Sequence, residues 1–187
     1  MYTKLIENKI RASIDELSLL KDQYIFKKIN KIVYLIKSTI KKKNKIIFCG
    51  NGGSASDAQH ISAEFVGRFQ KNRKALPSIA INSDTAIITA LANDYGYDKI
   101  FSRQIEAIAK KNDLLIAFST SGKSKNILNA FKSASKMKLN IVFFTSNRCL
   151  IKEKKNIIIL KAPSENTARI QEMHKIILHL ICGFFDY

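Results

Sequence analysis

Five short runs of β-branched and aromatic residues recur along the chain from residue 46 onwards, with helix-like stretches between them. The runs span residues 46–50, 78–82, 114–119, 141–145 and 157–160. They are apolar at nearly every position, which is typical of parallel strands that are buried on both faces. Strands that alternate with helices form a parallel sheet against which the helices pack. We therefore predict an α/β fold with helices on both faces of a parallel sheet.

Apolar residues at helical spacing predict the remaining elements. Helices are expected near residues 54–70, 84–92, 98–110, 124–137 and 165–185. Two more precede the first strand, at 3–21 and 24–43. Their apolar stripes consist of Ile6, Ile10, Ile14 and Leu17 in the first helix and of Ile25, Ile29, Ile32, Val33 and Ile36 in the second. Because a small domain need not cover both stripes, we hypothesise that these helices also pair between subunits.

Length and composition favour one domain in a reducing compartment. The chain has 187 residues and 46% hydrophobic content, enough for one proper core. The first residues are charged throughout, unlike a signal peptide, and no apolar run is long enough to span a bilayer. Cys49, Cys149 and Cys182 are odd in number and widely spaced, so we expect free thiols in a cytoplasmic protein without membrane partners.

The formal net charge of +17 raises the alternative of a nucleic-acid-binding protein. The basic residues are spread along the chain, however, and most are lysines, which lack the bidentate fork of arginine. We therefore predict no specific nucleic-acid partner. A general preference for anionic ligands, including phosphate esters, is compatible with this charge.

Two loops that follow strands carry residues suited to ligand binding, because ligands of parallel sheets bind beyond the carboxyl ends of the strands. Residues 49–57 read CGNGGSASD, a glycine-rich turn into a helix, which is either a ligand loop or only a tight turn. Residues 119–124 read STSGKS, and their hydroxyls and amides favour a phosphate site. The alternative is a capped helix start with a serine/threonine turn.

Two helices carry further candidates for chemistry. His60 and Glu64 are four residues apart and share one helical face, as a proton-transfer pair, a metal site or a surface contact would. Gln171 and His179 lie on the last helix, about 12 Å apart along its axis. One of them would serve a neighbouring subunit if both acted at one centre, and a solvated polar face is the simpler interpretation.

Taken together, these stretches resemble the SIS (sugar isomerase) family, and within it the phosphoheptose isomerases. The resemblance covers nearly the whole chain and includes four long motifs in the family's order. They read CGNGGSASDAQHISAEFVGRF (49–69), ANDYGYDKIFSRQIEA (92–107), STSGKSKNIL (119–128) and TARIQEMHKIILH (167–179). It implies a single SIS domain over 1–187, a doubly wound, flavodoxin-like sheet of five strands, and an N-terminal helical extension (1–43) that packs on the core and between subunits.

The resemblance also implies roles for residues at matching positions. The sugar site would be lined by Asn51, Gly52, Gly53, Glu64, Asn93, Asp94 and Gln171. The phosphate would be held by Ser119, Thr120, Ser121 and Ser124. Zinc would be bound by His60, Glu64, Gln171 and His179. Glu64 would be the catalytic base and His179 the acid, in a homotetramer whose active sites lie between subunits.

The implied reaction converts sedoheptulose 7-phosphate to D-glycero-D-manno-heptose 7-phosphate through an enediol. A carboxylate and an imidazole suit such a proton transfer at neutral pH. Three alternatives stay open: a non-catalytic SIS protein that binds a partner such as a replication initiator, a sugar-phosphate-sensing regulator, and an isomerase of another sugar phosphate. The presence of both Glu64 and His179 favours an enzyme, and no helix-turn-helix pattern precedes the sheet.

Overall fold

Five parallel strands form one sheet in the computed structural model, which describes residues 2–186. The strands are β1 (Ile46–Cys49), β2 (Ser78–Ala80), β3 (Leu114–Phe118), β4 (Asn140–Ser146) and β5 (Ile157–Ala162). Their order in the sheet is β2-β1-β3-β4-β5, and every neighbouring pair is parallel. This is the flavodoxin-like order of a doubly wound sheet, so the predicted fold class is confirmed.

Seven α-helices surround the sheet within the described residues. They are α1 (Thr3–Ser18), α2 (Gln23–Lys41), α3 (Gly53–Val66), α4 (Thr85–Tyr95), α5 (Ile100–Ile108), α6 (Lys125–Lys136) and α7 (Thr167–Gly183). Short 3-10 turns at 19–21 and 97–99 join α1 to α2 and α4 to α5. None of the described helices combines the length and the apolar composition that a membrane crossing needs.

The two faces of the sheet carry separate apolar cores, which explains the continuous apolar runs in the sequence. Alternate residues of β1 point to opposite sides, so Ile46 and Phe48 join one core and Ile47 and Cys49 join the other. Helices α2, α3 and α7 cover the first face. Helices α5 and α6 cover the second. Burial on both faces removes the polar alternation that a half-exposed strand would show.

The two N-terminal helices differ in burial. Helix α2 buries its predicted stripe against the sheet, including Ile25, Ile32 and Ile36. Helix α1 buries none of its residues within the described chain, and Ile6 and Ile14 are each more than half exposed. The predicted role of α1 between subunits stays a prediction.

The winding of the sheet reverses between β1 and β3. From β1 the chain moves outward to β2, then returns to the other side of β1 as β3. The loops that follow β1 and β3 therefore lie side by side at the carboxyl edge of the sheet. A crevice at this reversal is where such folds bind ligands.

Candidate active site

The loop after β1 depends on glycine for its path. Gly52 has φ 55° and ψ −126°, a conformation that side chains with a Cβ rarely adopt. At Gly50 an added Cβ would lie 2.4 Å from the carbonyl oxygen of Ser54. The tight turn starts α3 directly at Gly53 and leaves Asn51 at the crevice between β1 and β3.

The loop after β3 gathers the predicted phosphate residues at the start of α6. The Ser119 and Ser124 hydroxyls lie 3.0 Å apart and share a hydrogen bond, so Ser124 does not cap α6 with its side chain. The backbone N–H groups of Lys125 and Asn126 have no hydrogen-bond partner within residues 2–186. Free amides at a helix start, together with hydroxyls, suit a bound oxyanion.

The end of β4 and the loop that follows it support this serine-rich loop. The buried Ser146 hydroxyl donates a 2.7 Å hydrogen bond to the carbonyl of Thr120. Gly122 has φ 67°, and a Cβ there would lie 2.8 Å from the Cβ of Cys149. A side chain at residue 122 would therefore be strained and would also collide with its neighbour.

An open cleft of about 720 Å³ lies between the two loops. Its walls are formed by Asn51, Tyr97, Asp98, Ser124, Lys125 and Asn126. The structure thus brings together predicted residues of the sugar and phosphate sites that are far apart in sequence. The chain between Asn51 and Ser124 includes all of β2, α4 and α5, so these two residues become neighbours only in the folded structure.

The proposed proton-transfer residues converge on the seam between α3 and α7. The Nε2 atoms of His60 and His179 lie 3.0 Å apart, and His60 Nε2 lies 3.3 Å from Glu64 Oε1. The ring of Phe69 stacks on His179 with centroids 5.5 Å apart. Glu64 is half-buried while His60 is open to solvent, so the cluster borders the surface.

Burial and neighbouring charges set the protonation of this seam. The pKa of His179 is lowered, first by burial and then by nearby His60, with Glu64 opposing the shift. The pKa of Asp57 is raised by burial, while Lys175, 3.4 Å away, counteracts that rise. A lowered pKa keeps the His179 imidazole neutral at physiological pH, ready to accept a proton or a metal ion.

Gln171 lies at the other end of the same seam. A Cβ added to Gly53 would lie 2.7 Å from Gln171 Nε2, so this side chain rests on the start of α3. Seven residues of helix, about 10 Å of rise, separate Gly53 from His60. Within one chain Gln171 therefore contacts the glycine-rich loop rather than the histidine cluster, and a zinc ligand set that includes it stays a prediction.

Asn93 and Asp94 stand apart from both groups. Both are exposed on α4, and the amide of Asn93 donates a 2.9 Å hydrogen bond to Asp94. Within residues 2–186 no hydrogen bond joins them to the serine-rich loop or to His179. Their predicted contact with substrate stays a prediction.

Comparisons with known proteins agree with this architecture. A family model described as SIS domain matches residues 10–146. The phosphoheptose isomerase of Burkholderia pseudomallei (strain 1710b) is 43% identical over 170 residues, covering 91% of this chain and 86% of the relative. That of Campylobacter jejuni subsp. jejuni serotype O:6 is 47% identical over 152 residues, covering 81% and 82%. This chain belongs to the phosphoheptose isomerase family of SIS-domain proteins.

A solved structure supports the same assignment. The phosphoheptose isomerase from Francisella tularensis superposes with a TM-score of 0.93 at 31% identity, covering 100% of this chain and 98% of that one. The predicted family membership and enzyme class are confirmed by these matches. Membership of the phosphoheptose isomerase family also disfavours the non-catalytic and regulatory alternatives.

Two residues of this phosphoheptose isomerase site were not predicted from the sequence. Asn126 and Tyr97 both bind the side chain of Asn51, at 2.8 and 3.1 Å. Asn126 lies two residues beyond the STSGKS motif and carries an amide instead of a hydroxyl group, so the motif did not predict it. The available signal was its position in the first turn of α6, next to the predicted phosphate loop.

Proposed function

We propose that this chain converts sedoheptulose 7-phosphate to D-glycero-D-manno-heptose 7-phosphate, the first step of nucleotide-activated heptose synthesis. The observation that carries this proposal is the convergence of Glu64 and His179 beside His60, from two helices far apart in sequence. The sugar phosphate is an anion, and the chain's charge of +17 favours its approach.

The serine-rich loop is proposed to hold the phosphate. Ser119, Thr120, Ser121 and Ser124 directly precede α6, and the hydroxyls of Ser119 and Ser124 lie 3.0 Å apart. The free amides of that first turn add donors and a partial positive charge, which suit a phosphate monoester. The glycine-rich loop next to it allows the sugar chain to approach the backbone closely.

The chemistry that follows is a proton transfer between neighbouring carbons. Glu64 removes a proton from C1 of the ketose while the C2 carbonyl oxygen gains a proton, which forms the enediol. The O1 hydroxyl then loses its proton to give the aldehyde, and Glu64 returns a proton to C2. The His179 imidazole exchanges the oxygen-bound protons. The Glu64 carboxylate and the His179 imidazole both lie next to His60, which puts them within reach of one ligand.

We also propose zinc as a cofactor, held by His60, Glu64 and His179. Within residues 2–186 no three or more His, Cys, Asp and Glu side chains, as they are placed, could hold a metal ion together, so binding would require these side chains to turn. The donor types fit zinc, and their separations of 3.0 and 3.3 Å are close to the roughly 3.4 Å expected between ligands of a tetrahedral ion. When bound, zinc would supply a positive charge that polarises a carbonyl or enediolate oxygen.

The assembly proposed for this function is a cytoplasmic homotetramer with active sites between subunits. The support is the uncovered apolar stripe of α1, where Ile6, Ile10 and Ile14 are more than half exposed. Burying such a stripe against a second copy removes apolar area from water.

The decisive experiment is to incubate the purified protein with sedoheptulose 7-phosphate and follow the sugar by NMR. We expect the signals of an aldoheptose phosphate, and deuterium from heavy water at C2. Glu64→Gln keeps the shape of the side chain but removes the base, so turnover should fall at least about 100-fold with binding retained. Full turnover by this variant would disprove the role of Glu64, and an unchanged wild-type spectrum would disprove the function.

Metal removal tests the cofactor separately. Exhaustive chelation should lower turnover, and zinc added back should restore it, because the neutral imidazoles of the cluster are then free to bind the ion again. Metal content is measured by atomic emission before and after chelation. Full turnover by a preparation shown to be free of metal would exclude zinc from the reaction.

A further inference from the structure

Two facing side-chain amides tie the glycine-rich loop to the start of α6. Asn51 Nδ2 donates to Asn126 Oδ1 at 2.9 Å, and Asn126 Nδ2 donates back to Asn51 Oδ1 at 2.8 Å. The Tyr97 hydroxyl donates a third hydrogen bond, of 3.1 Å, to Asn51 Oδ1. Asn126 is buried, with 3% of its surface exposed, whereas Asn51 is half-buried at the cleft.

The orientation of both amides is dictated by a backbone group. The Ile127 N–H can only donate, and it faces Asn126 at 2.9 Å, so the atom it meets must be the oxygen. Asn126 then turns its NH₂ group toward Asn51, where only the Asn51 oxygen can accept. Neither amide can rotate by half a turn without losing its partners.

In this arrangement the two amides can offer a ligand only hydrogen-bond donors. Each amide oxygen already accepts two hydrogen bonds, which uses both of its lone pairs. Each nitrogen donates one bond and keeps one N–H. Asn126 lines the cleft but has only 3% of its surface exposed, so the more accessible N–H for a ligand is that of Asn51. Ser124 and Lys125, which line the same cleft, add further donors.

We propose that Asn126 is a positioning residue that holds Asn51 with its N–H toward the ligand, so that this point of the site selects an oxygen that only accepts hydrogen bonds. In a ketose phosphate these are the phosphate oxygens and the C2 carbonyl. The inference rests on the proposed function for its substrate. A freely rotating Asn51 would offer its carbonyl half of the time and would accept a sugar hydroxyl equally well.

The test replaces Asn126 by Leu, which has a similar shape and no hydrogen bonds. We expect the KM for sedoheptulose 7-phosphate, or its Kd by calorimetry, to rise about 10-fold, the loss of roughly one hydrogen bond. In the Asn51→Ala background the same change should have no further effect, since Asn126 acts through Asn51. Additive losses in the double variant, or wild-type kinetics in folded Asn126→Leu, would overturn the proposal.

Inorganic phosphate separates the two candidate oxygens. If the phosphate is the acceptor, its calorimetric Kd weakens in Asn126→Leu by the same factor as the KM. If the carbonyl is the acceptor, phosphate binding is unchanged and kcat falls. Calorimetry needs no turnover, so a wild-type protein that binds the sugar phosphate without isomerising it would end the proposed function and still allow this test.

Two more variants protect the interpretation. Tyr97→Phe removes one hydrogen bond to Asn51 Oδ1 and should raise the KM by a smaller factor, about 2- to 5-fold. Because Tyr97 is exposed, this variant is expected to fold and can be measured even if Asn126→Leu does not fold. Wild-type affinity in Tyr97→Phe and in a folded Asn126→Asp would count against the proposal. Asn156→Leu makes the same replacement before β5, at the opposite edge of the sheet, and should leave the KM unchanged.

Discussion

His174 shows how one buried ring couples the core to pH. Its side chain is fully enclosed, and its Nε2 lies 3.0 Å from the Thr145 carbonyl, while Nδ1 has no partner. The ring of Phe144 packs edge-on against it, 5.5 Å away between centroids. Burial lowers the pKa of His174 from its usual 6.5 to about 4, against the opposing hydrogen bond to Thr145.

We expect His174 to make the free energy of unfolding decrease as the pH is lowered. The unfolded chain binds a proton below pH 6.5 and the folded chain only near pH 4, so the stabilisation is complete above 6.5 and is lost between those values. Between pH 6.5 and 5 the loss is about 2 kcal/mol. Urea unfolding at several pH values gives the free energy of unfolding of His174→Gln and of the wild type. In this pH window it should change less with pH in the variant. Equal slopes would contradict the assignment.

At the scale of elements, the serine-rich loop is fixed in position by the strands and the helix next to it. It follows a fully buried strand, β3, and precedes α6, and Ser146 at the end of β4 fixes its backbone at Thr120. Two elements therefore position the hydroxyl groups before any ligand binds. A preorganised loop loses little conformational freedom when it closes on a phosphate.

Replacing Ser119, Thr120 and Ser121 together by alanine tests this loop. Three hydrogen bonds to a charged group are lost, so the KM for the sugar phosphate should rise about 1,000-fold while the melting temperature changes little. Steady-state kinetics and circular dichroism provide the two readouts. Ser135→Ala, an exposed change at the far end of α6, is the matched control. An unchanged KM would place the phosphate elsewhere.

The elements themselves were largely predictable, because their apolar patterns are local. All five strands and seven helices occur where the sequence indicates them. Helix α3 ends at Val66 instead of near residue 70, since Gly67 leaves the helical conformation. There the Arg73 guanidinium, which also pairs with Asp186, binds the carbonyls of Glu64 and Phe65. Gly67 was a local signal for this helix end, whereas the cap from Arg73 comes from outside the helix and leaves no local pattern.

The site was less predictable, because its contacts join distant residues. Spacing alone suggested that His60 and Glu64 share a face, and the structure shows them together. The amide pair of Asn51 and Asn126, by contrast, depends on the adjacency of β1 and β3. The position of Gln171 against Gly53 depends on how α7 packs along α3. Such pairings follow from sheet order and helix packing rather than from sequence spacing.

At the scale of the whole molecule, α1 is attached at one end. The Ser164 hydroxyl donates to Glu16, and Leu17 packs against a small core that includes Ile170 and Met173. The preceding turns, with Ile6, Ile10 and Ile14, remain largely exposed to solvent. An apolar stripe this long is typical of a helix that pairs with another subunit.

We expect Ile6→Glu combined with Ile10→Glu to dissociate the proposed tetramer. Two buried isoleucines contribute about 1.5–3 kcal/mol each, and placing charges there adds a desolvation cost. Sedimentation velocity should show a smaller species with an unchanged far-ultraviolet spectrum. Asn8→Glu, a charge on the same helix outside the stripe, should keep the wild-type mass. A wild-type monomer, or an unaltered tetramer in the double variant, would contradict the prediction.

The contact of Gly53 with Gln171 has a consequence for substitution at residue 53. Any side chain at residue 53 would overlap the Gln171 amide, which lies 2.7 Å from an added Cβ. A methyl group at 53 would therefore push the flexible end of the Gln171 side chain away from the start of α3. We expect Gly53→Ala to fold with a nearly unchanged melting temperature, so that the missing side chain at residue 53 matters for where the Gln171 amide lies rather than for the stability of the helix.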